Sequence, residues 1–292
     1  MNAARPARPA RPVRLAGLAR LLGVEVRRVE DLGASHEWRL YKAVLADDRA
    51  VFVKSAAGQE GVFAAEAAGL RWLGEADGAP VPEVLAVDGD TLVLPWLPPT
   101  AATPQAAERL GRELAGLHAY GAPSYGAPWP GFIAELPLDN TAGDDWPAWY
   151  AHRRLLPFLR ASGGALSADD VRLVERVIEN VEALAGPAEP PSRVHGDLWS
   201  GNVLWSGDRG WLIDPAAHGG HRETDLAMLA LFGAPHLDRI IAAYQEVAPL
   251  ANGWQERVPL HQLHPLLVHV ALYGTSYRAS TVKAARAALQ AH

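Results

Sequence analysis

Three polar residues, spaced in a way that suggests phosphoryl transfer, stand out in this chain of 292 residues. Asp197 precedes Asn202 by five positions, and Asp214 closes a hydrophobic run further along the chain. In phosphoryl-transfer enzymes, the first Asp of such a pattern accepts the proton of a substrate hydroxyl. The Asn and the second Asp offer hard oxygen ligands to Mg²⁺. The pattern therefore predicts Asp197 as a catalytic base and Asn202 and Asp214 as magnesium ligands.

A predicted β-hairpin between these residues explains how they would meet. Residues 203–205 and 211–213 have the composition of short strands, and a turn-rich stretch separates them. Asn202 and Asp214 each lie six positions from Asp208, so we expect the hairpin to place them side by side at its open end. Taken singly, His-Gly-Asp is compatible with a turn around a buried histidine, and Asp-Pro with a common loop start. Their combination at this spacing favours a phosphotransferase.

The scarcity of lysine draws attention to Lys54. Three of the 27 basic residues are lysines, and Lys54 ends a predicted strand, residues 50–54. Kinases hold the lysine that binds the ATP phosphates on such a strand, where a compact ammonium is preferred to a guanidinium. Residues 63–73 have helical periodicity, and Glu66 in that helix would pair with Lys54. Considered alone, a surface lysine and a solvated glutamate are the simpler interpretation; beside the Asp–Asn–Asp pattern, they predict a nucleotide-binding pair.

Composition and charge exclude several classes of protein. A net charge of −6 argues against a nucleic-acid-binding protein. The absence of Cys excludes a disulfide framework, a thiol nucleophile and a thiolate metal site. No run approaches the ~18 uncharged apolar residues needed to cross a membrane. We therefore expect a cytoplasmic protein with neither nucleic acid nor membrane as a partner, and the repeated Ala-Arg-Pro predicts a disordered tail over residues 1–12.

The N-terminal region is predicted to form a small β-rich lobe. A helix at 15–22 precedes predicted strands at 37–44 and 49–54, and the loop before the first strand contains Gly33-Ala34-Ser35. Ser35 and the neighbouring amides are candidates for contact with phosphate, although one glycine falls short of a glycine-rich loop.

A proline-rich connector, residues 95–99, is predicted to be the hinge between two lobes. It follows a strand, and its backbone would recognise the edge of adenine. Pro95 lacks an N–H, so the donor to adenine is expected from Trp96 or Leu97.

The region after this connector is predicted to be mainly helical. Thr103-Pro104 and Ser167 are typical helix starts, and residues 226–232, 237–247 and 260–273 have helical patterns. The sequence thus predicts an α+β fold of two lobes. The predicted boundaries are 13–94 for the N-terminal nucleotide-binding lobe, 95–99 for the hinge and 100–292 for the C-terminal catalytic lobe.

Three motifs together resemble the fructosamine kinase (ketosamine 3-kinase) family, a branch of the aminoglycoside-phosphotransferase-like kinases with a protein-kinase-like fold. They are H-G-D-L-W-S-G-N at 195–202, I-D-P-A at 213–216 and G-H-R-E-T-D-L-A-M at 220–228. Trp199 and the third motif distinguish the chain from general aminoglycoside or choline kinases. The resemblance extends from about residue 33 to residue 277. It implies transfer of phosphate from Mg²⁺-ATP to the 3-hydroxyl of a ketosamine, with deglycation as the outcome.

The resemblance also implies further roles at matching positions. Asp225 would brace the catalytic loop, and His195 is expected to be structural rather than chemical. Trp199, His221 and Glu223 are expected in the acceptor pocket, where Trp199 would stack on the sugar or contact the amine as a cation–π pair. For Trp199 the alternative is core packing, and for Glu223 it is an ordinary ion pair with a nearby arginine such as Arg222. The family's Gly-Gly-Ser turn and acidic hinge residue are replaced here at 33–35 and at 95.

Two other functions remain open at this point. A kinase for an aminoglycoside or amino alcohol would have the same fold, but the acid-poor segment 124–136, with Glu135 as its only acid, weighs against a polycation pocket. A nucleotide-binding pseudokinase would be expected to lack one of the three polar residues that are present here. The sequence leaves open which sugar is preferred, whether the ketosamine is free or protein-bound, and the oligomeric state.

Overall fold

The computed structural model describes residues 15–35, 38–56 and 60–290, so the tail predicted over 1–12 lies outside the described residues. The elements of the N-terminal region are α1 (Leu15–Leu22), β1 (Val26–Ser35), β2 (Trp38–Leu45), β3 (Ala50–Ser55), α2 (Glu60–Gly74), β4 (Ala86–Val87) and β5 (Thr91–Pro95). The strands form an antiparallel five-stranded sheet in the order β1-β2-β3-β5-β4, with one helix on each face.

Alternation along β3 determines which side chains meet each helix. Val51 and Val53 belong to the apolar cluster under α1, whereas Phe52 packs in the cluster under α2. Because successive side chains of a strand point to opposite faces, Lys54 falls on the α2 side with Phe52. Glu66 is buried on α2, so the fold brings the lysine and the glutamate to the same interior.

The C-terminal region is mainly helical and holds short two-stranded sheets. Its elements are α3 (Pro104–Ala119), β6 (Gly131–Ile133), β7 (Leu136–Leu138), α4 (Trp146–Tyr150), α5 (Leu156–Ala161), α6 (Ala168–Glu179), α7 (Val181–Leu184), β8 (Ser192–Val194), β9 (Val203–Ser206), β10 (Arg209–Leu212), β11 (His218–Gly220), α8 (Glu223–Phe232), α9 (Leu237–Val247), α10 (Trp254–Tyr273) and α11 (Arg278–Gln290). One apolar core surrounds α3, α8 and α9 with the β9–β10 hairpin, and a second lies among α4 to α7, α10 and α11.

The predicted α+β architecture, with a small β-rich and a larger helical part, is confirmed. Both predicted helix caps are present. The Thr103 hydroxyl accepts the Ala106 N–H at 3.1 Å, and Ser167 forms a capping box with Asp170. The segment predicted as a hinge begins at the end of β5 and precedes α3. Its role as a hinge and the lobe boundaries stay predictions.

The prediction for Gly33-Ala34-Ser35 was wrong. These residues are the end of β1, paired with β2 through Ser35 opposite Trp38, and not a loop. The sequence of β1 hides this strand, because most of its residues are polar and exposed and show little apolar alternation. Residues 36–37, which follow, lie outside the described residues. Among the described residues, every helix is too short or too polar to span a lipid bilayer.

Candidate active site

Two adjoining cavities meet between the sheet and the helical region. One, of about 270 Å³, is lined by Asp197, Asn202 and Trp199. The other, of about 280 Å³, lies under Trp96 and Leu97. Four residues line both cavities, which makes them one cleft: Ser35, Trp38, Lys54 and Asp214.

The β9–β10 hairpin sets the positions of Asn202 and Asp214. Ser206 pairs with Arg209 and Val203 with Leu212, and the Ile213 N–H donates to the Asn202 carbonyl at 3.0 Å. The loop between β9 and β10 is therefore one residue shorter than the loop of a hairpin centred on Asp208. Ile213 lies opposite Asn202, and Asp214 follows one position beyond, in the left-handed region with φ 56°. Both side chains still line the same cavity, as the spacing predicts.

Hydrogen bonds of His195 and Asp225 hold the predicted catalytic loop, residues 195–202, in place. The His195 Nε2 lies 2.8 Å from the Ile213 carbonyl, which only accepts, so Nε2 carries the proton. The other ring nitrogen, Nδ1, then accepts the Asp197 N–H at 3.2 Å. One imidazole thus links the loop that contains Asp197 to the segment after β10 that contains Asp214.

Asp225 caps the start of this loop from α8. Its carboxylate accepts the N–H groups of His195 at 2.7 Å and Gly196 at 3.0 Å, and His118 Nε2 lies 3.1 Å away. Burial alone would raise the pKa of Asp225, but the contacts with His118 and the loop outweigh it and hold the pKa below its usual value. Gly196 has φ 80°, and a Cβ there would meet the Ala216 carbonyl at 2.4 Å, so the loop requires glycine.

Asp197 and Asn202 are hydrogen-bonded to each other. The Asn202 amide donates to the Asp197 carbonyl at 2.8 Å and to its carboxylate at 3.0 Å, which leaves the amide oxygen of Asn202 as an acceptor. Burial, and after it the charge of Asp214, raise the pKa of Asp197 to about 8. The oxygens of Asn202 and Asp214 in one cavity fit the hard-ligand preference of Mg²⁺.

Lys54 joins the two lobes at the centre of the cleft. It is 2% exposed, and its Nζ lies 2.9 and 3.0 Å from the two Glu66 oxygens and 2.6 Å from Asp214 Oδ1. Burial alone would lower the pKa of Lys54, but the two carboxylates outweigh burial and hold the pKa above its usual value. The structure therefore brings together the predicted Lys54–Glu66 pair and adds Asp214 to it.

In the cavity under Trp96 and Leu97, one of the two backbone donors that the sequence predicted for adenine is available. The Trp96 N–H donates to the Ala50 carbonyl at 3.1 Å and is already used by the sheet. The Leu97 N–H donates to no acceptor among the described residues. The Trp96 ring lines the cavity, with Lys42 Nζ 4.3 Å from its centroid.

A group of aromatic side chains, here called the aromatic wall, lines the cleft on the other side of Asp197. Of its members, Trp199 alone was predicted from the sequence. The Trp199 side chain is 40% exposed and lies over Gly201, where a Cβ would meet the indole at 2.2 Å. No local motif marks the remaining members, because they come from the β6 region and α10. They are Trp129, Phe132, His269 and Tyr273.

His221 and Glu223 lie behind the cleft. They are 3% and 2% exposed, respectively, and neither lines the cavities around Asp197. Glu223 pairs with Arg257 at 2.6 and 2.9 Å, whereas Arg222, the partner suggested by the sequence, pairs with Glu189. Contact of His221 and Glu223 with the acceptor stays a prediction, and this placement gives both a structural role.

A buried cluster of possible metal ligands occurs at the same place. His221, Glu223 and His261 offer ligand atoms within 4.8 Å of one another. The Arg257 guanidinium already holds both Glu223 oxygens, so a cation there would face a fixed positive charge. The donor set therefore suits an ion pair better than a metal.

Comparison with known proteins supports the resemblance based on the motifs. The sequence pattern of the fructosamine kinase family matches residues 26–291. A probable ketoamine kinase of Thermus thermophilus is 38% identical over 221 residues, which cover 74% of this chain and 79% of that protein.

Solved structures show the same relationship. One from Thermobifida fusca, assigned as a fructosamine-3-kinase, is 55% identical and has a TM-score of 0.92, covering 94% of this chain and 98% of that chain. A macrolide 2′-phosphotransferase from Brachybacterium faecium is 17% identical and has a TM-score of 0.62, covering 92% of this chain and 96% of that chain. The second likeness shows the fold alone, which is that of the protein-kinase-like phosphotransferases.

Proposed function

The chain belongs to the fructosamine kinase family and is a phosphotransferase, and from this premise we propose that it transfers the γ-phosphoryl group of ATP to the 3-hydroxyl of a ketosamine. One observation carries the proposal. The carboxylate of Asp197 lines the same cavity as the Lys54–Asp214 ion pair on one side and an aromatic wall on the other. A phosphate donor and a small polar acceptor can therefore reach one point.

The proposed reaction needs positioning more than covalent chemistry. The acceptor hydroxyl gives its proton to the Asp197 carboxylate as its oxygen bonds to the γ-phosphorus, and the bond from that phosphorus to the bridging oxygen of ADP breaks. Asn202 holds the Asp197 carboxylate by a 3.0 Å hydrogen bond and so orients the base. Lys54, kept cationic by its two carboxylates, would contact the phosphates.

Asn202 and Asp214 would hold Mg²⁺ in this proposal. The ion would neutralise charge on the phosphate oxygens. Lys54 occupies one Asp214 oxygen in the structure, and the second oxygen remains for the metal.

ATP is proposed to lie under the segment that connects the lobes. The apolar cavity around Trp96 and Leu94 would take the adenine, and the Leu97 N–H would donate to its edge. Ser35 lines both cavities and is proposed to contact phosphate.

The aromatic wall would take the ketosamine. The faces of Trp199 and Tyr273 suit the C–H surface of a sugar and, as cation–π partners, its protonated secondary amine. The 3-hydroxyl is proposed because the Thermobifida fusca relative is assigned as a fructosamine-3-kinase. Phosphorylation of the 3-hydroxyl would destabilise the ketosamine, so deglycation of the amine is the proposed outcome.

The test measures ADP release from Mg²⁺-ATP with fructosamine, ribulosamine, erythrulosamine and aminoglycoside acceptors. We expect turnover with ketosamines alone and its loss in Asp197→Asn. Asp208→Asn is the matched control, because it makes the same chemical change in the exposed hairpin turn. Turnover with aminoglycosides alone would overturn the acceptor, and ATP binding without turnover on any acceptor would favour the pseudokinase.

A further inference from the structure

Arg193 spans the two lobes beside the catalytic loop. It lies in β8, two positions before His195, and is 7% exposed. Its guanidinium donates to the Trp72 carbonyl in the last turn of α2 and lies 3.0 Å from the Glu75 carboxylate just beyond it. Its Nε donates to the Gly121 carbonyl at 3.2 Å. One side chain thus connects the end of α2 with the helical region.

Aromatic rings enclose the same guanidinium. Its central carbon lies 4.5 Å from the centroid of Trp72 and 4.4 Å from that of Tyr120. Trp72 also packs edge-on against Trp129 at 5.5 Å, and Trp129 lines the cleft. A planar guanidinium that is stacked and hydrogen-bonded in this way holds its neighbours in one geometry, which a lysine would not reproduce.

The helix that Arg193 holds is the one that carries Glu66. The end of a helix presents carbonyl groups without partners in the helix, and a cation there is favourable. In the middle of α2, Gly69 lies against the segment after Asp214, where a Cβ would be 3.1 Å from the Cβ of Ala217. With both the middle and the end of α2 fixed, the position of Glu66 relative to Asp214 is set.

We propose that Arg193 is a positioning residue that fastens α2 to the strand leading into the catalytic loop. In this arrangement, Glu66 holds Lys54 against Asp214 in the protein as it stands, without an activating ligand or partner. The catalytic consequence rests on the proposed function, whereas the fastening of α2 does not.

The first experiment measures amide hydrogen exchange over residues 60–74 in the full chain, in Arg193→Ala and in Arg222→Ala. Arg222 is a matched control, because it too pairs with one carboxylate and donates to two carbonyls, Ala248 and Pro249, but lies within the helical region. Loss of a charged hydrogen-bonding group should speed exchange in α2 about tenfold in Arg193→Ala. Unchanged exchange in α2, or the same increase in both variants, would overturn the proposal.

The second experiment measures ketosamine-dependent ADP release well below the melting temperature. Arg193→Ala should lower kcat about tenfold or more and raise KM for ATP, while KM for the acceptor changes little. If Arg193→Ala does not fold, Arg193→Lys and Glu75→Gln remain as milder variants with smaller effects of the same kind. A lower melting temperature with unchanged kcat and KM would make Arg193 merely structural. An inactive parent protein with faster α2 exchange in the variant would instead contradict the proposed function alone.

Discussion

His195 and Ile213 are joined by a hydrogen bond of 2.8 Å between the imidazole Nε2 and the backbone carbonyl. The same ring accepts the Asp197 N–H. The distance between the proposed base and the proposed metal ligand Asp214 therefore depends on a side chain that itself does no chemistry.

His195→Ala should reduce kcat and stability together. It leaves the partly buried Ile213 carbonyl and Asp197 N–H without their histidine partner, and the loss of each hydrogen bond costs about 1 kcal/mol. Steady-state kinetics and thermal melting check both effects. His152→Ala, in an exposed position, is the control. An unaltered kcat in the His195 variant would show that the link does not position Asp197.

Leu97→Pro should raise KM for ATP about tenfold, because proline lacks the N–H and the lost hydrogen bond is worth about 1–1.5 kcal/mol. The Leu97 N–H is proposed to bind adenine, whereas the Trp96 N–H is engaged by Ala50. Leu97→Ala removes the side chain and keeps the donor, so it separates the two contributions. Equal KM values in both variants would contradict the assignment of the donor.

Trp199→Ala should raise KM for the ketosamine and leave KM for ATP unchanged. The indole is 40% exposed, so its removal costs little stability. Trp199→Phe should recover part of the affinity, since a smaller aromatic face remains for stacking. Trp211→Ala, in the neighbouring hairpin but outside the cleft lining, serves as control. A change in KM for ATP alone would move Trp199 out of the acceptor site.

Stability should fall as the pH drops below about 6.5. Burial, followed by the charge of Arg154, lowers the pKa of His218 to about 3, although the charge of Asp225 acts in the opposite direction. The same two causes hold the pKa of His264 well below 6.5. Below pH 6.5 the unfolded chain binds protons that the folded chain does not, so each histidine removes up to about 1.4 kcal/mol per pH unit until its folded pKa is reached.

Urea unfolding at pH 7.5, 6.0 and 5.0 measures this dependence. His218→Gln should flatten the decrease, because glutamine does not titrate, even if the variant is less stable at pH 7.5. A slope equal to that of the parent would show that His218 contributes nothing to the acid sensitivity.

Local sequence patterns were sufficient for many regular elements of the fold, but no predicted range covers the short elements α4, α5, β6, β7, β8 and β11. The bounds of α1 and α9 agree with the predicted ranges, and helix caps at Thr103 and Ser167 were readable because they depend on a few adjacent residues. Strand β1 was missed because it is mostly polar and exposed. The helix α11 was also missed, since its alanine-rich surface gives a weak apolar stripe.

The sequence by itself determined the chemistry that the site offers. One loop and the hairpin after it hold Asp197, Asn202 and Asp214. Lys54 lies near the end of β3, and Glu66 lies in α2, the next element along the chain. Short connections leave few arrangements, so residue type and spacing predict these neighbours. The one-residue difference in the hairpin register shows the limit of that argument, because the turn geometry decided it.

Only the tertiary structure decided which distant elements meet. Lys54 and Asp214 are 160 positions apart, and the aromatic wall joins the β6 region to α10. The burial of Glu223 against Arg257 and the contact of Arg193 with α2 likewise depend on packing between elements far apart in the chain. Periodicity shows which face of an element is buried, but not which other face covers it, because that choice is made by the packing of the whole chain.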